Sequence, residues 1–174
     1  MHSLKLEGSI EGICNNRSNI SMSYTEIKRQ QLIKTDIDSL WNFISSPKNL
    51  EKITPKWMKF EVTSKNEDNI ILPGMIITYK ISPLLNIPIQ WITEITHVKK
   101  KISFIDQQNR GPYKKWIHEH RLEETPKGII MYDTIKYIPP FGIIGRIANW
   151  IFIKRRVIKI FDYREQVLNQ IFHS

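Results

Sequence analysis

The sequence contains only one cysteine, Cys14, among its 174 residues. An internal disulfide is therefore impossible, and a metal site built from several thiolates is excluded. No apolar run reaches the ~20 residues that span a bilayer, and the N-terminus lacks the apolar core of a signal peptide. From these absences we expect a protein of the reducing cytoplasm.

Glycine is also scarce, and its positions exclude the common nucleotide-binding motifs. The 7 glycines form neither a GxGxxG pattern nor a phosphate-binding P-loop. No serine has the glycine neighbours of a nucleophile elbow. We therefore expect no cofactor, and no covalent catalysis by a serine or a cysteine.

Acidic residues are outnumbered by basic ones, 17 to 26, which gives a net charge of +9. Small basic clusters lie at residues 99–101 and 154–156, but the excess is otherwise spread along the chain. The sequence has no zinc-finger spacing and no aromatic-glycine RNA-binding motif. We interpret the charge as a solvated, lysine-rich surface and expect no nucleic-acid partner.

The hydrophobic periodicity predicts an α+β protein. We expect residues 1–22 to form an irregular leader and residues 23–174 to form one ligand-binding domain. A strand at 24–34 precedes two short helices, the first beginning at Asp36 and ending before Pro47. Period-two segments then follow on short turns, which predicts a curved antiparallel sheet of six or seven strands. These segments are 58–64, 70–72, 75–82, 88–98, 101–108, 113–123 and 129–138.

A helical period returns at about residue 142 and continues to about residue 172. A helix of this length is about 45 Å long. We expect its apolar face to lie along the concave side of the sheet, leaving a cavity for an apolar ligand between the two. The residues predicted to mark that face are Ile144, Ile147, Ile151, Ile158, Phe161, Leu168 and Ile171.

Four segments carry a family resemblance: 83–95, 104–123, 131–147 and 155–164. With them, residues 24–170 resemble the SRPBCC superfamily of START-related, helix-grip proteins, which includes polyketide cyclases and coenzyme Q-binding proteins. The most similar subgroup consists of ligand-binding SRPBCC proteins sometimes labelled cell division inhibitors. The resemblance implies the helix-grip fold and a hydrophobic pocket, but no particular ligand.

The most informative strand carries Trp116, His118 and His120 on one face, which we predict to be the interior. The next strand carries Asp133 and Tyr137 on its own inward face. A loop of about six residues pairs His120 with Asp133, whereas a loop of about four pairs His118 with it. In either register an inward histidine meets a carboxylate. The pair either contacts a ligand or fixes the strand register as a buried structural pair.

Other residues extend this candidate site. Tyr79, Trp91 and Tyr137 are predicted cavity-lining aromatics. Arg110, close to the Gly111-Pro112 turn, is predicted either to hold a ligand carboxylate or phosphate or to be a rim arginine in a salt bridge. His118 and His120 with Asp133 resemble a facial metal triad, but His-x-His on one strand is weak evidence, and we expect no metal.

Two apolar segments, 82–86 and 139–144, are predicted to form the mouth of the cavity or to pack against each other. The mouth lies close in sequence to the basic cluster at 154–156. This proximity predicts a transient contact with an anionic membrane that would help load a lipid.

Three functions remain open at this point. The first is non-enzymatic binding of a hydrophobic or amphipathic small molecule, such as a lipid, quinone or polyketide-like compound. The second is a cyclase, aromatase or dehydratase in which His120, oriented by Asp133, is the general acid or base. The third is an interaction protein with a vestigial pocket, which a cavity below ~300 Å³ would favour.

Overall fold

The computed structural model describes residues 24–65, 70–83 and 86–172. The predicted leader at 1–22 lies outside these residues. The described part contains one antiparallel sheet whose seven strands are arranged in the order β1-β7-β6-β5-β4-β3-β2. The strands are β1 (Thr25–Ile33), β2 (Glu61–Val62), β3 (Ile76–Ile81), β4 (Ile89–Lys99), β5 (Ser103–Arg110), β6 (Lys115–Thr125) and β7 (Gly128–Ile138). The predicted α+β architecture is confirmed.

Two short helices follow β1, as predicted. Helix α1 (Ile37–Ile44) begins at Asp36, whose carboxylate accepts a hydrogen bond from the Ser39 amide at 2.8 Å. This N-cap satisfies one of the free amide groups of the first turn. Pro47 then opens a 3₁₀ turn, Pro47–Leu50. The apolar side of α1 packs into the core through Leu40, Trp41 and Ile44.

The predicted strand at 70–72 is wrong. Ile71 is buried, which explains the strand-like pattern, but its amide donates to the carbonyl of Ser45 at the end of α1 instead of to a strand. The strand predicted at 58–64 is reduced to β2. A 3₁₀ turn at Lys56–Met58 precedes it, and Lys59 has a left-handed backbone with φ of 46°.

The C-terminal helical segment runs from α2 (Gly142–Ala148) through a π-helical turn (Asn149–Ile153) into α3 (Lys154–Phe172). Within the described residues, no helix has the length and apolar content needed to cross a membrane. The residues that this segment buries are Gly145, Asn149, Val157, Phe161, Arg164 and Leu168.

The helix face predicted from isoleucine spacing is therefore partly wrong. Phe161 and Leu168 are buried as expected, but Ile144, Ile147 and Ile151 are exposed. The π-helical turn inserts a residue into the helical repeat and rotates α2 relative to α3. Small and polar residues then face the sheet at the start of the segment, and Ile147 and Ile151 face outward. Ile171, near the end of α3, is also exposed.

Polar contacts fix the segment against β1 and β7. Arg29 on β1 pairs with Asp162 of α3, and Gln31 donates to Asn169 at 2.8 Å. Further up the segment, the Tyr137 hydroxyl donates to Asn149 at 2.6 Å, a contact that locates the π-helical turn against β7.

Candidate functional site

A cavity of about 560 Å³ separates the sheet from the C-terminal helical segment. Its wall is mostly apolar. Ile77, Ile95 and Phe104 contribute from the sheet, while Val157 and Phe161 contribute from α3. The helix therefore does not pack flush against the sheet, and the space predicted between the two is present.

The cavity reaches the surface between α2, the 3₁₀ turn at Lys56–Met58 and the segment that follows β3. Phe141 and Ile144 line it there and are exposed. Arg156 crosses this mouth, because its guanidinium lies 5.3 Å from the Trp57 ring and donates to the carbonyl of Pro83. Residues 82, 83 and 139–144 thus lie at or near the predicted mouth, whereas 84 and 85 lie outside the described residues.

Most of the predicted site residues lie on the cavity wall. Tyr79, Trp91, Trp116, His118 and His120 all line it. The aromatic rings form a continuous set in which Trp91 contacts the Tyr79 and Trp116 rings at centroid distances of 6.4 and 5.3 Å. The wall thus combines planar apolar surface with two imidazoles.

Asp133 and Tyr137 are buried but do not line the cavity. They lie behind the histidines and Trp116, because β7 neighbours β6 in the sheet. His120 pairs with Asp133, and Trp116 pairs with Tyr137. This is one of the two predicted registers, although the connection is the two-residue turn at 126–127 because the strands extend further than the pattern indicated.

Gly128 makes that short turn possible. Its φ of +125° is a conformation that residues with a Cβ rarely adopt. A Cβ at this position would lie 2.4 Å from the carbonyl oxygen of Ile33 on β1. The close approach of β1 to β7 and the register of β6 on β7 therefore depend on the same glycine.

His118 and His120 lie between two carboxylates. Oδ1 of Asp133 forms a hydrogen bond of 2.8 Å with Nε2 of His118. The same oxygen lies 2.9 Å from Nδ1 of His120, but the angles of that contact are not those of a hydrogen bond. On the cavity side, Oδ2 of Asp106 lies 3.4 Å from Nδ1 of His118 and 3.4 Å from Nε2 of His120. We call Asp106, His118, His120 and Asp133 the polar cluster.

Electrostatics hold both carboxylates of the polar cluster in the ionised form. Burial raises the pKa of Asp106 and Asp133, but hydrogen bonding and positive charge from the histidines outweigh it, so each pKa lies well below its usual range. Burial lowers the pKa of His118, but hydrogen bonding and charge from both carboxylates outweigh burial and raise the pKa above its usual value. His118 therefore keeps its proton to a higher pH than an exposed histidine does.

The sequence matches no family model and no curated protein, but solved structures match it. Protein CV1439 from Chromobacterium violaceum has a TM-score of 0.67 at 8% identity, covering 86% of this chain and 99% of that one. Major latex-like protein 151 from Panax ginseng has a TM-score of 0.63 at 12% identity, covering 86% and 98%. Protein Ms6760 from Mycobacterium smegmatis has a TM-score of 0.61 at 16% identity, covering 84% and 89%.

The chain has the helix-grip fold. Because the sequence identities are so low, these similarities establish the fold and leave the ligand open. The narrower resemblance to the subgroup labelled cell division inhibitors stays a prediction. Within this helix-grip fold, β5, β6 and α3 supply the polar part of the cavity wall.

Two charged residues of that wall, Asp106 and Arg164, were not predicted as site residues. Asp106 lies directly opposite His118 in the β5–β6 register, two residues from the buried Phe104. Arg164 is buried on the inner face of α3, three residues after Phe161. Strand alternation and helical spacing were both available as signals. Neither reveals that a charged residue at such a position belongs to the cavity wall.

Arg110, in contrast, was predicted either to hold a ligand carboxylate or phosphate or to be a rim arginine, and it is exposed and does not line the cavity. The reason is a β-bulge in the β4–β5 ladder. Thr93 pairs with Gln108, but the next residue, Ile92, pairs with Arg110, so Asn109 is the extra residue. The bulge reverses the alternation of β5, and Arg110 lies on the outer face with Ile92.

Proposed function

We propose that the protein binds a hydrophobic or amphipathic small molecule in the cavity. The observation that carries this proposal is the cavity of about 560 Å³, which falls within the roughly 300–1,000 Å³ of small-molecule sites. Burial of apolar ligand surface contributes about 25 cal/mol per Å² before the costs of association. A lipid, a quinone or a polyketide-like compound has suitable size and polarity.

Polar atoms without partners favour an amphipathic occupant over a purely apolar one. Nε1 of Trp91, Oγ1 of Thr93, and Nε and Nη1 of Arg164 are buried and have no hydrogen-bond partner among the described residues. All three residues line the cavity. Tryptophan and arginine only donate, so a carbonyl, carboxylate or phenolic oxygen of a ligand would complement them. Leaving such a group unsatisfied costs about 1–3 kcal/mol.

A fluorescent probe with an apolar body and an anionic group, 1-anilinonaphthalene-8-sulfonate, tests this proposal. Ala148 lines the cavity near its mouth, so Ala148→Trp should obstruct it. The neighbouring Ile147 is exposed and does not line the cavity, which makes Ile147→Trp the matched control. We expect Ala148→Trp to weaken binding at least about tenfold, equivalent to ~1.4 kcal/mol, and the control to bind as wild type does.

Equal affinity of wild type and a folded Ala148→Trp variant would contradict binding inside the cavity. Native mass spectrometry of protein purified from its own host provides the second test. We expect a non-covalent adduct of small-molecule mass. A consistently empty protein that also fails to bind the probe would remove the proposal.

We infer in addition that the mouth contacts an anionic membrane transiently when the ligand is loaded. Phe141 is 82% exposed, Ile144 75% and Trp150 82%, so the apolar surface is contiguous along α2 and the π-helical turn. Single exposed apolar residues are common, whereas a contiguous patch is typical of an interaction surface. Residues 139–161 include no aspartate or glutamate and five basic residues, which complements anionic headgroups.

Vesicle co-sedimentation tests this contact. We expect binding to phosphatidylserine-containing vesicles, weakening with added salt, and none to pure phosphatidylcholine. Trp150→Ser should reduce binding, while Ile102→Ser, in the turn between β4 and β5, should not. Salt-independent binding, or equal binding by both variants, would count against a membrane contact at the mouth.

The polar cluster supports an enzymatic alternative of the cyclase, aromatase or dehydratase class. Both histidines lie on the cavity wall and each contacts Asp133, which would orient them for proton transfer. Turnover of polyketide substrates by wild type and His120→Ala distinguishes the two functions. Equal rates would remove the catalytic role. The cavity volume also exceeds the ~300 Å³ below which a vestigial pocket would be favoured.

A further inference from the structure

We propose that Asp106, His118 and His120 form a binding site for a divalent transition-metal ion on the wall of the cavity. His118 and His120 alternate on β6 so that both face inward, and Asp106 lies opposite His118 on β5. One ligand atom from each residue lies within 4.8 Å of the other two. This proposal does not depend on binding of an apolar ligand.

The distances from Asp106 to the two histidines are long for hydrogen bonds and suit shared coordination. Oδ2 of Asp106 lies 3.4 Å from one nitrogen of each imidazole, at the long end of a contact that is usually ~2.7–3.2 Å in a hydrogen bond to nitrogen. Two ligands bound at about 2.1 Å to a tetrahedral ion are about 3.4 Å apart. The two distances from Asp106 therefore already match those of a shared ion, and all three ligand atoms lie within 4.8 Å of one another.

Asp133 lies behind both ligands and forms a hydrogen bond with His118. It contacts Nε2 of His118 and Nδ1 of His120, the nitrogens that face away from Asp106. A proton on each of these nitrogens leaves the lone pairs of the opposite nitrogens directed at the proposed ion. Carboxylates that fix histidine ligands in this way are a usual second layer of metal sites. Asp106, and not Asp133, is thus the carboxylate that would complete the triad.

The charge of the surroundings also fits a cation. An ion bound to the cavity-side nitrogens would replace any proton there; with both imidazoles then neutral, Asp106 and Asp133 contribute −2 and Arg164, which interacts with both, contributes +1. A divalent ion would convert the net −1 into +1, and its open side would face the cavity. Two nitrogens and one oxygen are ligands typical of zinc, iron(II) and cobalt(II), whereas magnesium and calcium prefer oxygen alone.

Untagged protein stripped with a chelator provides the test. We expect isothermal titration with Zn²⁺ to give about one equivalent per chain, and Co²⁺ to develop visible absorption on binding. Asp106→Asn preserves side-chain shape and should weaken Zn²⁺ binding at least about 100-fold, while Asp133→Asn should weaken it about 10–100-fold. His97→Gln is the control, because His97 is an exposed histidine on β4.

Two results would overturn the proposal: no binding of Zn²⁺ or Co²⁺ by stripped wild type, or wild-type affinity in Asp106→Asn. Circular dichroism and urea unfolding establish that each variant is folded. We expect Asp106→Asn to fold, because the Asp106 side chain is partly exposed. Binding of 1-anilinonaphthalene-8-sulfonate by the same samples separates failure of the metal site from failure of the cavity.

Discussion

The hydrogen bond from Tyr137 to Asn149 gives a direct measure of how the π-helical turn is held. The tyrosine is fully buried, and its hydroxyl donates to Oδ1 of Asn149 at 2.6 Å. The asparagine amide in turn donates to Thr25 on β1 at 3.0 Å. Burial raises the pKa of Tyr137 to about 12, so the hydroxyl remains a donor at any physiological pH.

Tyr137→Phe removes one oxygen and leaves a buried carbonyl without its donor. The cost of such an unsatisfied group is about 1–3 kcal/mol. For a domain of this size, 1 kcal/mol lowers the midpoint of thermal unfolding by about 2–4 °C, so we expect a decrease of roughly 2–12 °C. Because Tyr137 does not line the cavity, probe affinity should stay at the wild-type value.

Tyr132→Phe is the matched control on the same strand. The Arg121 guanidinium lies over the Tyr132 ring, with Cζ of Arg121 3.9 Å from the ring centroid. The Tyr132 hydroxyl has no hydrogen bond within the described residues. We expect a change within about 0.5 kcal/mol for this variant in urea unfolding. If Tyr137→Phe and Tyr132→Phe are equally stable, the reasoning is refuted. It is also refuted if Tyr137→Phe keeps wild-type stability but no longer binds the probe.

Three further predictions concern stability. Leu168→Ala should cost about 2–5 kcal/mol because Leu168 is fully buried, whereas Ile171→Ala on the exposed side should cost far less; urea unfolding compares them. Gly128→Ala should lower the thermal midpoint, since its Cβ would meet the Ile33 carbonyl; an unchanged midpoint contradicts the close approach. The Ser39 hydrogen bonds lower the pKa of Asp36 in the folded protein below 3.8. Ionised Asp36 therefore stabilises the folded state fully above that pH, and this stabilisation is lost as the pH falls through the pKa of the folded protein. Asp36→Asn, an equally good cap, should gain stability relative to wild type below about pH 4 in thermal scans, and a constant difference would exclude this linkage.

Several parts of the fold and site follow from local sequence patterns. Alternation along β6 places His118 and His120 on the same face as the buried Trp116. This prediction succeeds because side-chain direction in a strand repeats every two residues. The sequence left open whether His118 or His120 pairs with Asp133, and the turn at 126–127 selects His120. The N-cap at Asp36 is local for the same reason, since donor and acceptor are three residues apart.

Other parts depend on contacts between distant segments. The bulge at Asn109 turns Arg110 outward, and the π-helical turn exposes isoleucines that spacing placed inside. Ile71 shows the same limit, because its strand-like pattern reflects burial against α1. A prediction from a regular strand or helix repeat does not detect an inserted residue. The β-bulge and the π-helical turn are stabilised by packing against other parts of the chain.

The sequence by itself determined that a strand and two short helices precede an antiparallel sheet and a long C-terminal helix, and that the two histidines point inward, because each follows from periodicity over a few residues. Only the tertiary structure decided that Asp106 and Arg164 join those histidines and that a cavity of about 560 Å³ remains beside them. The physical reason is that burial of a charge depends on the groups around it, and β5, β6 and α3 become neighbours only when the chain is folded.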